Sequence, residues 1–349
     1  MNEKNTFYKL IEDFGWPRII IFCFVAALFA ASPFVGVDVV ACFSDVCIRF
    51  TQNAVLVLAM LPMIQSGAGL NFGLPTGIIA GLLGATIAMQ TGVGGATGFA
   101  LAILISLPFA LVFGLGYGIV LNKVKGEEMT IAMYVGFSAV TFMSILWLAL
   151  PFTNPTMVWA YAGQGLRTTI SLEGYWSHIL NNFLAIKAGT FVFPTGALLF
   201  FIICAVLMRF FMLSKTGTAL TAVGSNPRFA RAGGVSVDRM RIISVCVSTL
   251  FGAVGIIVYQ QSFGFIQVYN APLYMAFPAV AAILLGGASV QKATIFNVVI
   301  GTFLFQSILT MTPSVINSVV KTDMSEVIRI LISNGMIVYA LTRKTKVTK

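Results

Sequence analysis

Apolar runs long enough to cross a bilayer recur along this chain, and that recurrence restricts its fold more than any other feature. A run of eighteen or more apolar residues matches a hydrocarbon core about 30 Å thick. Within such a core every backbone N–H and C=O must be satisfied inside the segment, which leaves the helix as the spanning unit. Apolar residues make up 58% of the 349 and charged residues only 9%, where a soluble domain carries about 25% charged. The chain is therefore read as all-α, a single polytopic transmembrane domain.

Ten spans are predicted, at 16–34, 53–66, 74–89, 99–120, 130–150, 194–213, 242–259, 274–287, 293–311 and 327–341. A polar segment, 1–15, precedes them, without the small-residue cleavage site of a signal peptide. An outer loop with Asp38, Asp45 and Arg49 joins the first two spans. A longer outer loop, 152–193, follows the fifth. In it Trp176, Ile179, Leu180, Phe183 and Leu184 recur at helical spacing and predict an amphipathic helix lying on the membrane surface. Ten spans put both termini on one side. That side carries sixteen of the twenty-one Lys and Arg residues, including the basic tail 342–349, so both termini are expected in the cytoplasm. The net charge of +10 is then topological and not a nucleic-acid footprint.

The longest polar stretch, 214–241, lies on the same side. Arg209, Lys215, Arg228, Arg231, Arg239 and Arg241 sit in or beside it, against one acid, Asp238. Its centre spells a short helix: Asn226 as N-cap, Pro227 at the first helical position, Gly233-Gly234 as a left-handed stop. A helix of under two turns is not stable alone in water. It calls for a surface to dock on, a partner protein being the natural candidate and anionic lipid the alternative.

The spans are notable for what they lack. All eleven acids are assigned to loops, termini or span edges, and the one histidine, His178, to the outer loop. Proton-driven carriers draw on titratable groups within the membrane, and no GxxxxGK[ST] phosphate loop is present. No cofactor or metal is expected on this chain, and no enzymatic activity. Cys23, Cys204 and Cys246 fall in apolar runs as small hydrophobes. Cys42 and Cys47 fall in the first outer loop, free or disulfide-bonded.

Uncharged polar residues do occur in or beside spans: Gln65, Asn71, Gln260, Gln261, Asn297 and Gln306. They suit either a path for a neutral solute or hydrogen bonds between helices. Gly69, Gly73, Gly77 and Gly81 step by four, a pattern for close helix packing. The break GAGLNFG at 67–73 is more pointed, because irregular backbone at membrane depth is tolerated only when buried or facing a cavity. Gln65, Asn71, Phe72, Asn297 and Gln306 are the candidate pathway residues.

The stretch TALTAVGSNPRFARAGGVSVDRMRIISVCVSTLFGAVGIIV resembles the cytoplasmic loop and following helix of bacterial ABC importer permeases of the ribose and branched-chain amino acid class. Ala222, Gly224, Asn226, Pro227, Ala230 and Gly234 match that pattern, Val235 stands for its isoleucine, and Phe229 replaces the first alanine of a pair. GAGLNFGLPTGIIAGLLGA and AFPAVAAILLGGASV resemble two further segments of the family. The resemblance implies a permease of about ten helices, paired with a second copy or a paralogue in the lipid bilayer. It implies two cytoplasmic ATPase subunits, which hold the ATP and Mg, and an extracytoplasmic solute-binding protein. It makes 226–234 the coupling helix, with Gly224, Asn226, Pro227, Arg228, Phe229, Ala230, Arg231, Gly233 and Gly234 meeting the ATPase.

The cargo expected from an uncharged pathway is a simple sugar or nucleoside. A branched-chain amino acid is the alternative, its charged ends met by helix termini. A sodium-coupled carrier, or a scaffold subunit with no solute path, is the reading from another class.

Overall fold

The protein is described from a computed structural model covering residues 16–124, 126–160 and 165–320, with Met324, Val327, Ile328, Ile330, Leu331, Asn334, Gly335 and Val338 beyond. The segment 1–15, the tail 342–349 and most of the predicted tenth span lie outside the described residues.

Its helices are α1 (Trp16–Ala31), α2 (Val39–Leu58), α3 (Leu61–Gln65), α4 (Leu74–Gln90), α5 (Gly95–Lys123), α6 (Glu128–Ala149), α7 (Ile179–Asn182), α8 (Thr195–Leu213), α9 (Lys215–Ser225), α10 (Pro227–Ala232), α11 (Val237–Phe263), α12 (Ala271–Leu285) and α13 (Ile295–Val320). Four short strands, β1 (Thr169–Ser171), β2 (Ile186–Ala188), β3 (Phe191–Phe193) and β4 (Phe265–Gln267), form two antiparallel pairs, β1 with β4 and β2 with β3. Among the described residues six helices are long and apolar enough to cross a membrane: α2 continued through α3, then α5, α6, α8, α11 and α13. Three shorter apolar helices, α1, α4 and α12, add to them.

The bundle is built around α4. Its sequence LPTGIIAGLLGATIAMQ is apolar all round, and a helix with no polar face has to be buried on every side. Glycines let its neighbours close in. A methyl on Gly77 would lie 2.7 Å from the Thr249 carbonyl oxygen of α11, and one on Gly81 would lie 2.5 Å from that of Ala253 in the same helix. The four-residue glycine spacing is thus a packing device here. The most apolar window of α2–α3 is 83% buried, against 33% for α5 and 28% each for α6 and α8, so α5, α6 and α8 form the outer, lipid-facing ring.

The second span starts earlier than the sequence predicts. Asp38 caps α2, its carboxylate accepting from the N–H groups of Val40 (2.8 Å) and Ala41 (3.3 Å). The Ala41 and Val40 bonds hold that carboxyl below the usual range. One turn on, the Ser44 hydroxyl donates to the Val192 carbonyl (2.8 Å) and accepts from its N–H (3.0 Å), and Phe43 stacks on Phe191. The β2–β3 hairpin thereby covers the start of α2, and Asp45 and Arg49 ride on an exposed helix face instead of a loop. Cys42 and Cys47 are on the same helix, both buried and both free, which removes the disulfide alternative.

The outer loop also departs from expectation. No amphipathic helix covers 176–184: α7 is four residues long, and Leu184 takes a left-handed φ of 53°. Trp176 is fully buried instead. Asn154 bonds the Met89 carbonyl and the Tyr175 hydroxyl, while Gln261 accepts from the Leu180 N–H and donates to Asn181. These bonds fold the loop down onto the ends of α4 and α11.

Candidate functional site

At the basic end of the bundle, α10 is built as its sequence says. The Asn226 side chain accepts from the N–H groups of Arg228 (3.1 Å) and Phe229 (3.0 Å), satisfying two of the free donors that every helix start presents. Pro227 opens the helix, and Gly234, at φ +82°, turns the chain out of it. Ala230 is the one buried residue of the six and packs with Val223 of α9 and Val237 of α11. That small apolar cluster fixes which face points outward. Arg228, Arg231 and Phe229 are exposed, Phe229 to 75%, so the tip presents one aromatic ring together with two guanidinium groups.

The route from this tip into the membrane runs through Gly224. A methyl there would overlap the Gln65 carbonyl oxygen and lie 2.9 Å from the Gly67 nitrogen; one on Gly67 would lie 3.0 Å from Gly224 Cα. Backbone therefore rests on backbone between α9 and the residues that follow α3. The Gln65 side chain donates to the Ala293 carbonyl, tying the same corner to the loop ahead of α13. Gln65 is a junction between three segments.

The chain is non-helical between α3 and α4, as the break at 67–73 predicts, and this irregular stretch is buried. Asn71 is fully buried, donates to Ser248 Oγ (2.7 Å) and accepts from the Tyr117 hydroxyl (3.0 Å). Ser248 in turn donates to the Ala59 carbonyl (2.6 Å), and Ser66 and Ser244 share a bond of 2.8 Å. The network pins the break to α5 and α11. Phe72 points the other way, its ring 5.9 Å from Phe277 of α12, and Phe277 lies 6.3 Å from Phe137 of α6.

The remaining pathway candidates lie on α13. Asn297 accepts from the Thr294 N–H (2.9 Å) and donates to the Gly286 carbonyl (2.8 Å), clamping the start of α13 to the end of α12. Gln306 is buried in the middle of α13. Gln65, Asn71 and Phe72 gather around the break, whereas Asn297 and Gln306 do not join them.

Sequence reasoning passed over two features. Arg241 and Glu128 pair at 3.0 Å with both side chains largely buried, joining the starts of α11 and α6. The aromatic side chains of α6 and α12 that enclose Phe72 were likewise missed; the i, i+3 pair Tyr274 and Phe277 is the signal that could have found them.

The family described as the branched-chain amino acid transport system / permease component matches residues 43–339. The chain belongs to that family. No curated protein and no solved structure matches it. It is an ABC-importer permease subunit, a multi-pass component of the bacterial inner membrane, and a transport subunit with no catalytic role of its own.

Proposed function

We propose that this permease imports a branched-chain amino acid, driven by ATPase subunits that dock on α10. The single observation that carries the docking role is the exposed Phe229, flanked by Arg228 and Arg231 on a capped helix whose other face is locked to the bundle through Ala230. An exposed aromatic together with two arginines has the composition of a protein-binding hot spot. The ATP and Mg belong to those partners, and an extracytoplasmic solute-binding protein delivers the cargo to the end that carries the strands. A second permease, copy or paralogue, completes the membrane unit.

The family description favours a branched-chain amino acid over a sugar or nucleoside. The buried polar side chains around the break are amides and hydroxyls, and Asn71, Ser66 and Ser248 are already bonded to protein groups. Rigid motion of the ATPases reaches the break through Gly224 and the backbone at Gln65 and Gly67. The test is uptake by proteoliposomes holding permease, ATPases and binding protein, with labelled leucine, isoleucine, valine, ribose and adenosine. ATP-driven uptake of the aliphatic amino acids, lost in Asn226→Ala with Arg231→Glu, supports the proposal. Uptake that follows a sodium gradient without ATP overturns it, and ATP-driven uptake of ribose alone overturns the cargo.

A further inference from the structure

Between α6, α12 and the C-terminal segment lies a cleft of about 540 Å³, within the range of small-ligand sites. Phe137, Tyr274 and Phe277 form its walls, and Asn270 and Asn334 supply two amides. Among the described residues no charged side chain lines it. Its floor continues into Phe72, so the cleft opens directly over the helix break.

The membrane faces of α5 and α8 show what a lipid contact looks like in this protein. Their exposed large residues include Leu104, Leu111, Val112, Ile202, Ile203 and Leu207, with the aromatic Phe210 among them, and no Asn or Gln of either helix is exposed. A larger concavity between α4, α5 and α6 follows the same rule. It is walled by Ile79, Leu83, Phe109 and Phe113, and its polar side chains are turned to protein, Tyr117 to Asn71 and Thr76 to the Gly73 carbonyl. The α12 cleft breaks the rule, with Tyr274 74% exposed and Asn270 and Asn334 both exposed beside it. Amides facing hydrocarbon are costly, and polar side chains in membrane proteins face partners or water-filled paths.

The helix itself points to the class of ligand. At 15 residues α12 is about 22 Å long, too short for a core of about 30 Å, so at least one of its ends is recessed. Asn270 stands at its N-cap position yet makes no capping bond, leaving the amide available to a ligand. The start of α12, where Asn270 stands, is the positive end of the helix dipole and favours a carboxylate. Aromatic walls favour an aliphatic body, and the absence of fixed charge favours a solute of zero net charge. A zwitterionic aliphatic amino acid has all three.

We infer that Phe137, Asn270, Tyr274, Phe277 and Asn334 form the solute-binding half of the translocation path, the second permease subunit closing the other side. The choice of an amino acid rests on the function proposed above; the placement of the path does not. Charged thiol reagents need a water-exposed thiolate, so a cysteine on a wetted path reacts at least about tenfold faster than one facing lipid. Phe277→Cys, with Tyr274→Cys as a second variant, is compared with Leu207→Cys on α8 in the complete transporter in proteoliposomes. Labelling by a membrane-impermeant cationic methanethiosulfonate is read for each peptide by mass spectrometry, with L-leucine or D-ribose supplied alongside the binding protein. Fast labelling at 277 and 274, slowed by leucine, is the expected result. Fast labelling slowed by ribose and not by leucine keeps the site and overturns the amino acid. Labelling as slow as at 207, or fast labelling that neither solute slows, overturns the site.

Discussion

Gly224→Ala adds one methyl at the point where α9 rests on the membrane break. The methyl has no room. It overlaps the Gln65 carbonyl oxygen and comes within 2.9 Å of the Gly67 nitrogen, and both are backbone atoms that no rotamer change can move. Overpacking of this kind costs about 1–3 kcal/mol. At about 2 kcal/mol the seated arrangement of α9 against α3 loses a factor of roughly 30 relative to a displaced one. The variant should therefore hydrolyse ATP in the assembled transporter while moving less solute per ATP. Gly233→Ala is the control, since its methyl would meet only the Ala230 and Phe229 carbonyl oxygens at 3.5 and 3.7 Å, ordinary contact distances. Gly234→Ala lies between the two, because φ +82° costs an alanine about 1 kcal/mol or more while leaving α9 in place. Uptake per ATP and the melting temperature in detergent are measured for all three. If Gly224→Ala matches both the parent and Gly233→Ala in uptake per ATP, force does not pass through this contact.

Glu128→Gln should lower the stability of the purified permease by about 1–3 kcal/mol, because it leaves the largely buried Arg241 without its countercharge; thermal unfolding in detergent checks this. Gln260 and Gln261 are neighbours on α11 with opposite expectations. Both amide atoms of Gln260 lack a hydrogen-bond partner, so Gln260→Met should leave stability unchanged or raise it. Gln261→Met breaks the bonds to Leu180 and Asn181 and should lower stability by about 1–3 kcal/mol, read as earlier proteolysis of the outer loop.

What was legible in the sequence was local. The α10 helix could be placed to the residue because its cap, its proline and its glycine stop all act within two turns of one another. The break before α4 was legible for the same reason, through clustered glycines beside Asn71. The start of α2 was not. Asp45 and Arg49 read as loop residues until the β2–β3 hairpin, some 150 positions away in sequence, is seen to cover the opposite face of the helix. Trp176 and its neighbours have helical spacing, but long-range bonds from Asn154 and Gln261 outweigh that local preference and fold the segment inward. The cleft was beyond reach for a related reason: Phe137, Phe277 and Asn334 come from three separate segments that only packing brings together.

The central claim is that α10 carries the force of ATP hydrolysis into this permease. A photo-crosslinking amino acid at position 229 of the assembled transporter tests it most directly, because that side chain stands outermost on the docking face. The account predicts an adduct with the ATPase subunit whose yield changes between nucleotide-free and ATP-bound states. Adducts with lipid alone, or none with the ATPase in either state, would contradict it.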